Sequence, residues 1–259
     1  MTDLRSRLSE ALGPIYRVER EVRPVGQCRM FVVCEIPTGP DLLAKVLPAA
    51  LSVATDAAVL ERELLLLADR LNHPQQVTPR GAGRAGSFVF HTRVFVAGTT
   101  LRAWLQRSGA LPLARVVEIL RDLLRALAHA HGAGVTHGDL KPENVLLGDG
   151  EALVADTGVV GAVGRALRGG APGAARAALC APAYVAPECQ DDAPAGPRAD
   201  VFALGVLTHE MLTGGPLAEE SLEDARSVPS WLGELVARCL APERDRWADA
   251  GEVLDSVPQ

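Results

Sequence analysis

His137-Gly138-Asp139-Leu140-Lys141-Pro142-Glu143-Asn144 carries more chemistry than any other stretch of this chain. Within eight positions it sets an imidazole, two carboxylates, an ammonium and a carboxamide. Its lysine is one of only two: of 26 basic residues, 24 are arginine, and Lys45 and Lys141 are the exceptions. The guanidinium is a planar fork and the ammonium a compact point charge, so the two cations are not interchangeable. In a chain that otherwise chooses arginine, Lys45 and Lys141 mark places where the compact cation is required.

Around that stretch the composition is ordinary for a globular protein. A chain of 259 residues, 48% of them hydrophobic, can bury roughly 70–75% of its unfolded surface in one large domain or two small lobes. The formal charge of −6 argues against a nucleic-acid-binding surface, which needs a basic patch to displace counterions from phosphates. Apolar runs such as 64–68 fall far short of the ~18–20 residues of a membrane helix, and no charged-then-apolar signal opens the chain, which reads as cytoplasmic. Cys28, Cys34, Cys180, Cys189 and Cys239 are odd in number and show no paired spacing, so buried free thiols are expected rather than a disulfide framework or a zinc site.

Periodicity divides the chain. Leu4, Leu8 and Leu12 followed by Gly13-Pro14 predict a short amphipathic helix with a stop. From 16 to 46, β-branched and aromatic residues cluster in runs such as Phe31-Val32-Val33 and 42–47, broken by Pro37-Thr38-Gly39-Pro40, an antiparallel strand pattern. Residues 55–72 turn helical through Val59, Leu60, Leu64, Leu67 and Leu71, with the run 64–67 taken as core, and 88–96 reads again as strand. Beyond Gly98, Val116, Leu120, Leu123, Leu124 and Leu127 trace a long helix, and helices dominate to the end. The stretch 158–178, mostly Gly, Ala and Arg, is expected to be a mobile loop in which Arg165, Arg168 and Arg176 are solvated.

His137 to Asn144 resembles the catalytic loop H-x-D-L-K-P-E-N of protein kinases, and further motifs fall in order around it. Leu42-Leu43-Ala44-Lys45 resembles V-A-I-K, and Asp156-Thr157-Gly158, after a Leu-Val-Ala run, resembles D-F-G. Pro182-Ala183-Tyr184-Val185-Ala186-Pro187-Glu188 resembles the A-P-E segment, and Asp200 to Gly205 resembles the buried helix that anchors the catalytic loop. The chain thus resembles a bacterial serine/threonine protein kinase domain over nearly its whole length.

That resemblance implies an α+β bilobal fold: a β-rich N-lobe over 1–95, a mostly helical C-lobe over 96–259 and a hinge near 94–98. It implies ATP and Mg2+, a protein substrate or partner, Asp139 to orient the acceptor hydroxyl, Lys141 to stabilise the transferred phosphate, and Asn144 and Asp156 to bind magnesium. Lys45 would hold the α- and β-phosphates, with Gly26 in the phosphate-covering loop and Val22, Leu43 and Leu146 around the adenine. His137, Glu188, Asp200 and Arg246 would be structural, Arg246 pairing with Glu188.

The chain also departs from the pattern. Arg23, Val25 and Cys28 occupy the glycine positions of the phosphate-covering loop. Counting back nine residues from His73 reaches Leu64, so Glu63, the candidate to orient Lys45, stands one place early, roughly 100° round a helix. Thr157 replaces a Phe whose apolar contact is worth ~3 kcal/mol if nothing refills the space. Gly138 stands for the usual Arg and Ala181 for the usual Thr. From 158 to 188 there is no Ser or Thr, so switching by phosphorylation of that segment is not expected. Only a short stretch joins the helix ending near Thr213 to the one beginning near Pro229. Two other readings remain at this point: a pseudokinase that serves as a nucleotide-binding or scaffold module, and a small-molecule phosphotransferase, a class that also uses His-Gly-Asp.

Overall fold

Alternation of apolar and polar residues builds the first third of the chain, and the 3.6-residue period builds most of the rest. In the computed structural model, which describes residues 4–13, 16–25, 28–37, 39–148, 150–169, 172–189, 195–217 and 228–258, the chain is α+β. Helix α1 (Leu4–Leu12) precedes strands β1 (Tyr16–Val25), β2 (Cys28–Glu35) and β3 (Asp41–Val46), helices α2 (Ala49–Ala54) and α3 (Ala57–Arg70), and strands β4 (Gln76–Val77), β5 (Pro79–Ala85) and β6 (Phe88–Val94). Then follow β7 (Thr99–Thr100), α4 (Leu101–Ser108), α5 (Leu113–Gly132), β8 (Val145–Gly148), β9 (Glu151–Ala155), α6 (Val159–Ala166), α7 (Pro172–Leu179), α8 (Pro197–Thr213), α9 (Ser230–Leu240) and α10 (Ala250–Ser256). They form two units: one takes Met1–Asn72, Val77–Val96 and Val159–Leu179, the other His73–Gln76, Ala97–Gly158 and Cys180–Gln259.

In the first unit five strands form an antiparallel sheet in the order β1-β2-β3-β6-β5. Successive side chains of a strand face opposite sides. Leu42, Ala44 and Val46 of β3 accordingly join Phe31, Val33, Phe90 and the α1 residues Leu4 and Leu8 in one core, while Leu43 and Lys45 face the other way. Directly paired residues share a face, so the register Val22–Met30–Lys45–His91 lays a row across that second face.

Helix α3 starts where the Asp56 carboxylate accepts from the N–H groups of Ala58 and Val59, an N-cap worth about 1 kcal/mol. It buries Leu60, Leu64 and Leu67, each worth roughly 1.5–3 kcal/mol. The expectation that the whole run 64–67 is core is corrected here: Leu65 and Leu66 are 47% and 53% exposed, because a 3.6-residue period turns them outward.

A larger correction concerns 158–178. Its described residues hold two helices, α6 and α7, rather than a loop, and Val159–Leu179 belongs to the first unit. Alanine is the best helix former, and Val159, Ala162, Val163 and Ala166 are small enough to let α6 bury one face against α3. The chain around α6 is sewn to that helix's start: Asp56 N–H donates to Ala166 O at 2.8 Å, and Arg168 N–H to Ala54 O at 2.9 Å.

The second unit is organised by α5, whose Val116, Ile119, Leu120, Leu123, Leu124 and Leu127 are fully buried. They join Leu140, Val145 and Val154 of the β8–β9 region and Val201, Leu204 and Leu207 of α8 in a single core. Helix α8 opens with Pro197 in its first turn and closes at Gly214, whose φ of 77° suits glycine. At Gly205 a Cβ would lie 2.6 Å from that of Cys239, so the missing side chain sets how closely α8 and α9 approach. None of the five cysteines is in a disulfide; Cys28, Cys189 and Cys239 are buried, Cys34 and Cys180 half-buried. No helix of the described residues is long and apolar enough to cross a membrane.

Candidate active site

The loop between α5 and β8 is built around one buried carboxylate. Asp200, in the first turn of α8, accepts from the N–H of His137 at 2.7 Å and from that of Gly138 at 2.9 Å. Its third donor is His131. Ala250 N–H donates to His131 Nδ1 at 3.1 Å, so the proton sits on Nε2, which donates to Asp200 Oδ2 at 2.9 Å. Gly138 has a φ of 76°, a backbone conformation that L side chains rarely adopt, and this lets its amide turn towards Asp200. His137 is fully buried; its Nδ1 accepts from Asp139 N–H at 3.2 Å, and burial holds its pKa below the ordinary value.

With the loop fixed, three side chains meet. Lys141 Nζ lies 2.8 Å from Asp139 Oδ1 and 2.6 Å from Oδ2. Asn144 Nδ2 donates to the Asp139 backbone oxygen at 2.8 Å and to Oδ2 at 3.1 Å. A carboxylate only accepts, so the Asn144 NH2 must face Asp139, and its Oδ1 points away as an oxygen ligand. Asp156, at the end of β9, is buried and has a φ of 64°. Thr157 is buried as well, and its hydroxyl donates to Gln76 Oε1 at 2.8 Å. The apolar contact expected to be missing at Thr157 is thus replaced by a hydrogen bond.

Asn144 and Asp156 offer an amide oxygen and a carboxylate, hard oxygen donors of the kind magnesium takes alongside water and phosphate oxygens. Among the described residues no group of three or more His, Cys, Asp or Glu could hold a metal ion alone. Such a donor set suits an ion that arrives with a nucleotide better than a resident structural metal.

In the first unit Lys45 lies on β3, paired across the sheet with Met30 and His91, and shares its face with Val22 and Leu43. Leu146 is on β8 in the second unit. Gly26 lies outside the described residues, as do the side chains of Arg23 and Val25 and most of the stretch joining α8 to α9. Leu64 turns wholly into the core, and Glu63, one position back, meets α6, where Arg165 Nε donates to its Oε2 at 2.7 Å. Arg168 pairs with Asp56 at 3.0 Å. Arg165 and Arg168 are exposed, as expected of solvated side chains, and each also pairs with α3 or its cap because the chain there is helical and packs against it.

Downstream, Arg246 Nη1 and Nη2 hold Glu188 at 2.5 and 3.0 Å, and the guanidinium lies over the Phe202 ring at 4.9 Å. Sequence reading missed a second hub. Arg102 on α4 donates to Glu143 at 2.8 Å, Glu210 at 2.5 Å and the Tyr184 hydroxyl at 2.8 Å, and Tyr184 donates to Glu210. Burial and then the Glu210 hydrogen bond raise the Tyr184 pKa. Arg102 gave no signal in an arginine-rich chain, although Glu143 inside the catalytic-loop motif required some cation.

Motif order, fold and loop geometry agree with the comparisons to known proteins. The protein kinase domain family matches residues 28–249, and the chain belongs to that family. It is 40% identical over 212 residues to the serine/threonine-protein kinase PknL of Mycobacterium tuberculosis, covering 73% of this chain and 52% of that protein. The chain spans about half the length of that relative. Its fold is similar to the crystal structure of the Mycobacterium tuberculosis PknI kinase domain, with a TM-score of 0.73, 24% identity and 94% of each chain covered. It is also similar to Rad53 1-466 in complex with AMP-PNP, with a TM-score of 0.74, 21% identity, and 96% of this chain and 67% of that one covered.

Proposed function

We propose that this chain transfers the γ-phosphate of ATP to serine or threonine hydroxyls of protein substrates, and that its 259 residues act as one kinase domain with a small lobe over 1–95 and a large one over 96–259. The observation that carries the reading is the convergence of Asp139, Lys141 and Asn144. Asp139 orients the acceptor hydroxyl and takes its proton as the new P–O bond forms and the bond between the γ-phosphorus and the bridging oxygen breaks to release ADP, a role worth about 10²–10⁴-fold in rate. Lys141, now paired with Asp139, supplies the positive charge for the transferred group, and a compact ammonium can serve both without the fixed geometry of a guanidinium. Lys45 holds the α- and β-phosphates. Asn144 Oδ1 and the Asp156 carboxylate hold Mg2+, which when bound neutralises phosphate charge. Support for nucleotide binding comes from family membership and from the fold shared with a protein solved with AMP-PNP.

Glu63 is the carboxylate we assign to orient Lys45. In this structure its Oε2 accepts from Arg165 Nε on α6 at 2.7 Å. The scaffold alternative draws no support from the relatives, which are named as kinases.

The test is phosphate transfer from radiolabelled ATP to protein acceptors, with Asp139→Asn alongside wild type. A drop of about 10²-fold or more in the variant is expected, with Mg-ATP still raising the melting temperature of both. Equal incorporation by both proteins would remove Asp139 from the mechanism. No thermal shift at millimolar Mg-ATP would remove the kinase reading, and label appearing on a metabolite but on no protein would move the chain to the small-molecule phosphotransferases.

A further inference from the structure

Thr157 occupies a position where the sequence motif leads one to expect packing, yet its buried hydroxyl makes a directed bond. It donates to Gln76 Oε1 at 2.8 Å, and Gln76 Nε2 donates in turn to the carbonyl of Ala126, within α5, at 3.0 Å. The second bond fixes the first. A carbonyl only accepts, so the Gln76 NH2 must face Ala126 and Oε1 must face Thr157, which leaves the hydroxyl as the donor. Thr157 is also β-branched, with few side-chain rotamers, so holding its hydroxyl holds its backbone.

Gln76 is itself rigidly placed. Its N–H donates to His73 O at 2.9 Å, and the neighbouring Gln75 carbonyl accepts from Val154 N–H at 2.8 Å, tying it to the strand that leads into Asp156. Beyond Thr157, Gly158 N–H donates to His137 O at 3.1 Å, linking this segment to the catalytic loop. Asp156 lies between these attachments. Among the described residues it alone, apart from glycines, has a left-handed φ, at 64°. Aspartate tolerates that conformation without preferring it, and such a conformation persists where its surroundings over-determine it.

We propose that Gln76 is a positioning residue: acting through the Thr157 hydroxyl, it holds Asp156 in the left-handed conformation from which its carboxylate takes the divalent cation. The inference rests on the reading of Asp156 as the cation-binding carboxylate. It goes beyond that reading by naming a residue 80 positions away in sequence that the motif does not contain, and by giving Thr157 a role of its own.

Three variants test it: Thr157→Val, which keeps the shape and loses the donor, Thr157→Ser, which keeps the donor, and Gln76→Leu. Mn2+ binding in the presence of AMP-PNP is titrated by electron paramagnetic resonance. Amide hydrogen exchange at Gly158 is followed against Leu123 and Leu124 as reporters of global stability. Thr157→Val and Gln76→Leu are expected to weaken Mn2+ binding by about tenfold and to speed Gly158 exchange by a similar factor, with the two leucine amides unchanged. Thr157→Ser should stay within about twofold of wild type. A purely structural bond would lower the protection of all three amides together and leave the Mn2+ affinity of the folded protein alone. Equal Mn2+ binding by wild type, Thr157→Val and Gln76→Leu would overturn the inference and leave the reading of the site standing. A wild type that takes no Mn2+ would overturn the reading of Asp156, and the inference with it. Should Gln76→Leu not fold, Thr157→Val and its serine rescue decide the matter alone.

Discussion

Asp200 in the second unit and Glu63 in the first are both carboxylates that serve the proposed chemistry through another residue, and they are held in opposite ways. Asp200 is 2% exposed and accepts from two backbone amides and an imidazole whose tautomer is set by a further backbone bond. Glu63 is held by one guanidinium, that of Arg165, whose side chain is 56% exposed. The first arrangement is made of backbone geometry in a dry interior and has no competing partner. The second is a screened surface pair that water and salt can replace. The catalytic loop is therefore part of the fold, whereas the orientation of Glu63 is a setting laid on top of it.

If that contrast holds, the pair of buried Arg246 with half-buried Glu188 should be costly to break and the α6 contacts cheap. Arg246→Leu, which leaves Glu188 without its bidentate partner, is expected to cost about 3–5 kcal/mol in urea unfolding. A loss no greater than that of Arg168→Ala, which removes an exposed pair, would break the comparison. Asp200→Asn should cost about 1–3 kcal/mol, because its NH2 cannot accept from the second of the two backbone amides. Turnover should fall with it as the loop before Asp139 loosens.

A third effect reads the dryness of the same region through pH. Burial lowers the His137 pKa below 6.5, outweighing the opposing pull of Asp200, Asp139 and Asp156. His73 and His209 are lowered by burial too. The unfolded chain then binds protons that the folded chain does not, so stability is level above pH 6.5 and declines as pH falls below it. Denaturation midpoints between pH 7.5 and 5 should show the decline, and His137→Asn should make it shallower; an unchanged slope would place His137 outside the dry interior.

The smallest effect belongs to Arg165→Ala. It should cost less than about 1 kcal/mol of stability, less still at high salt. Turnover should rise, by at most the fivefold or so that such an energy allows, as Glu63 is released. A fall in turnover would show that α6 supports the working arrangement.

Much of this was open to reading in the linear order of residues. His137 to Asn144, Lys45, Asp156 and Glu188 sit in motifs whose spacing is chemically meaningful, and α3 and α5 follow from apolar periodicity, whereas α8, buried almost all round, was legible only through the resemblance. What escaped reading depends on partners distant in the chain. Gln76 and Arg102 carried no signal that reading picked up, and 158–178 read as a mobile loop. Alanine-rich sequence is ambiguous, since it forms a stable helix only when a neighbour such as α3 covers one face.

The resemblance of short motifs thus sufficed for the family and the order of the site residues, and periodicity for the α+β class, because each is read from side chains within a few positions of one another. Apart from Glu188 and Arg246, whose pairing the resemblance implied, the partner of each charge did not follow from them. Glu63 could have faced Lys45 or α6, and the space at Thr157 could have been left empty or filled. Helix packing and the desolvation of buried polar groups settled those choices: Arg165 took Glu63 once α6 lay on α3, and Gln76 took Thr157 because a hydroxyl so deeply buried is costly without an acceptor.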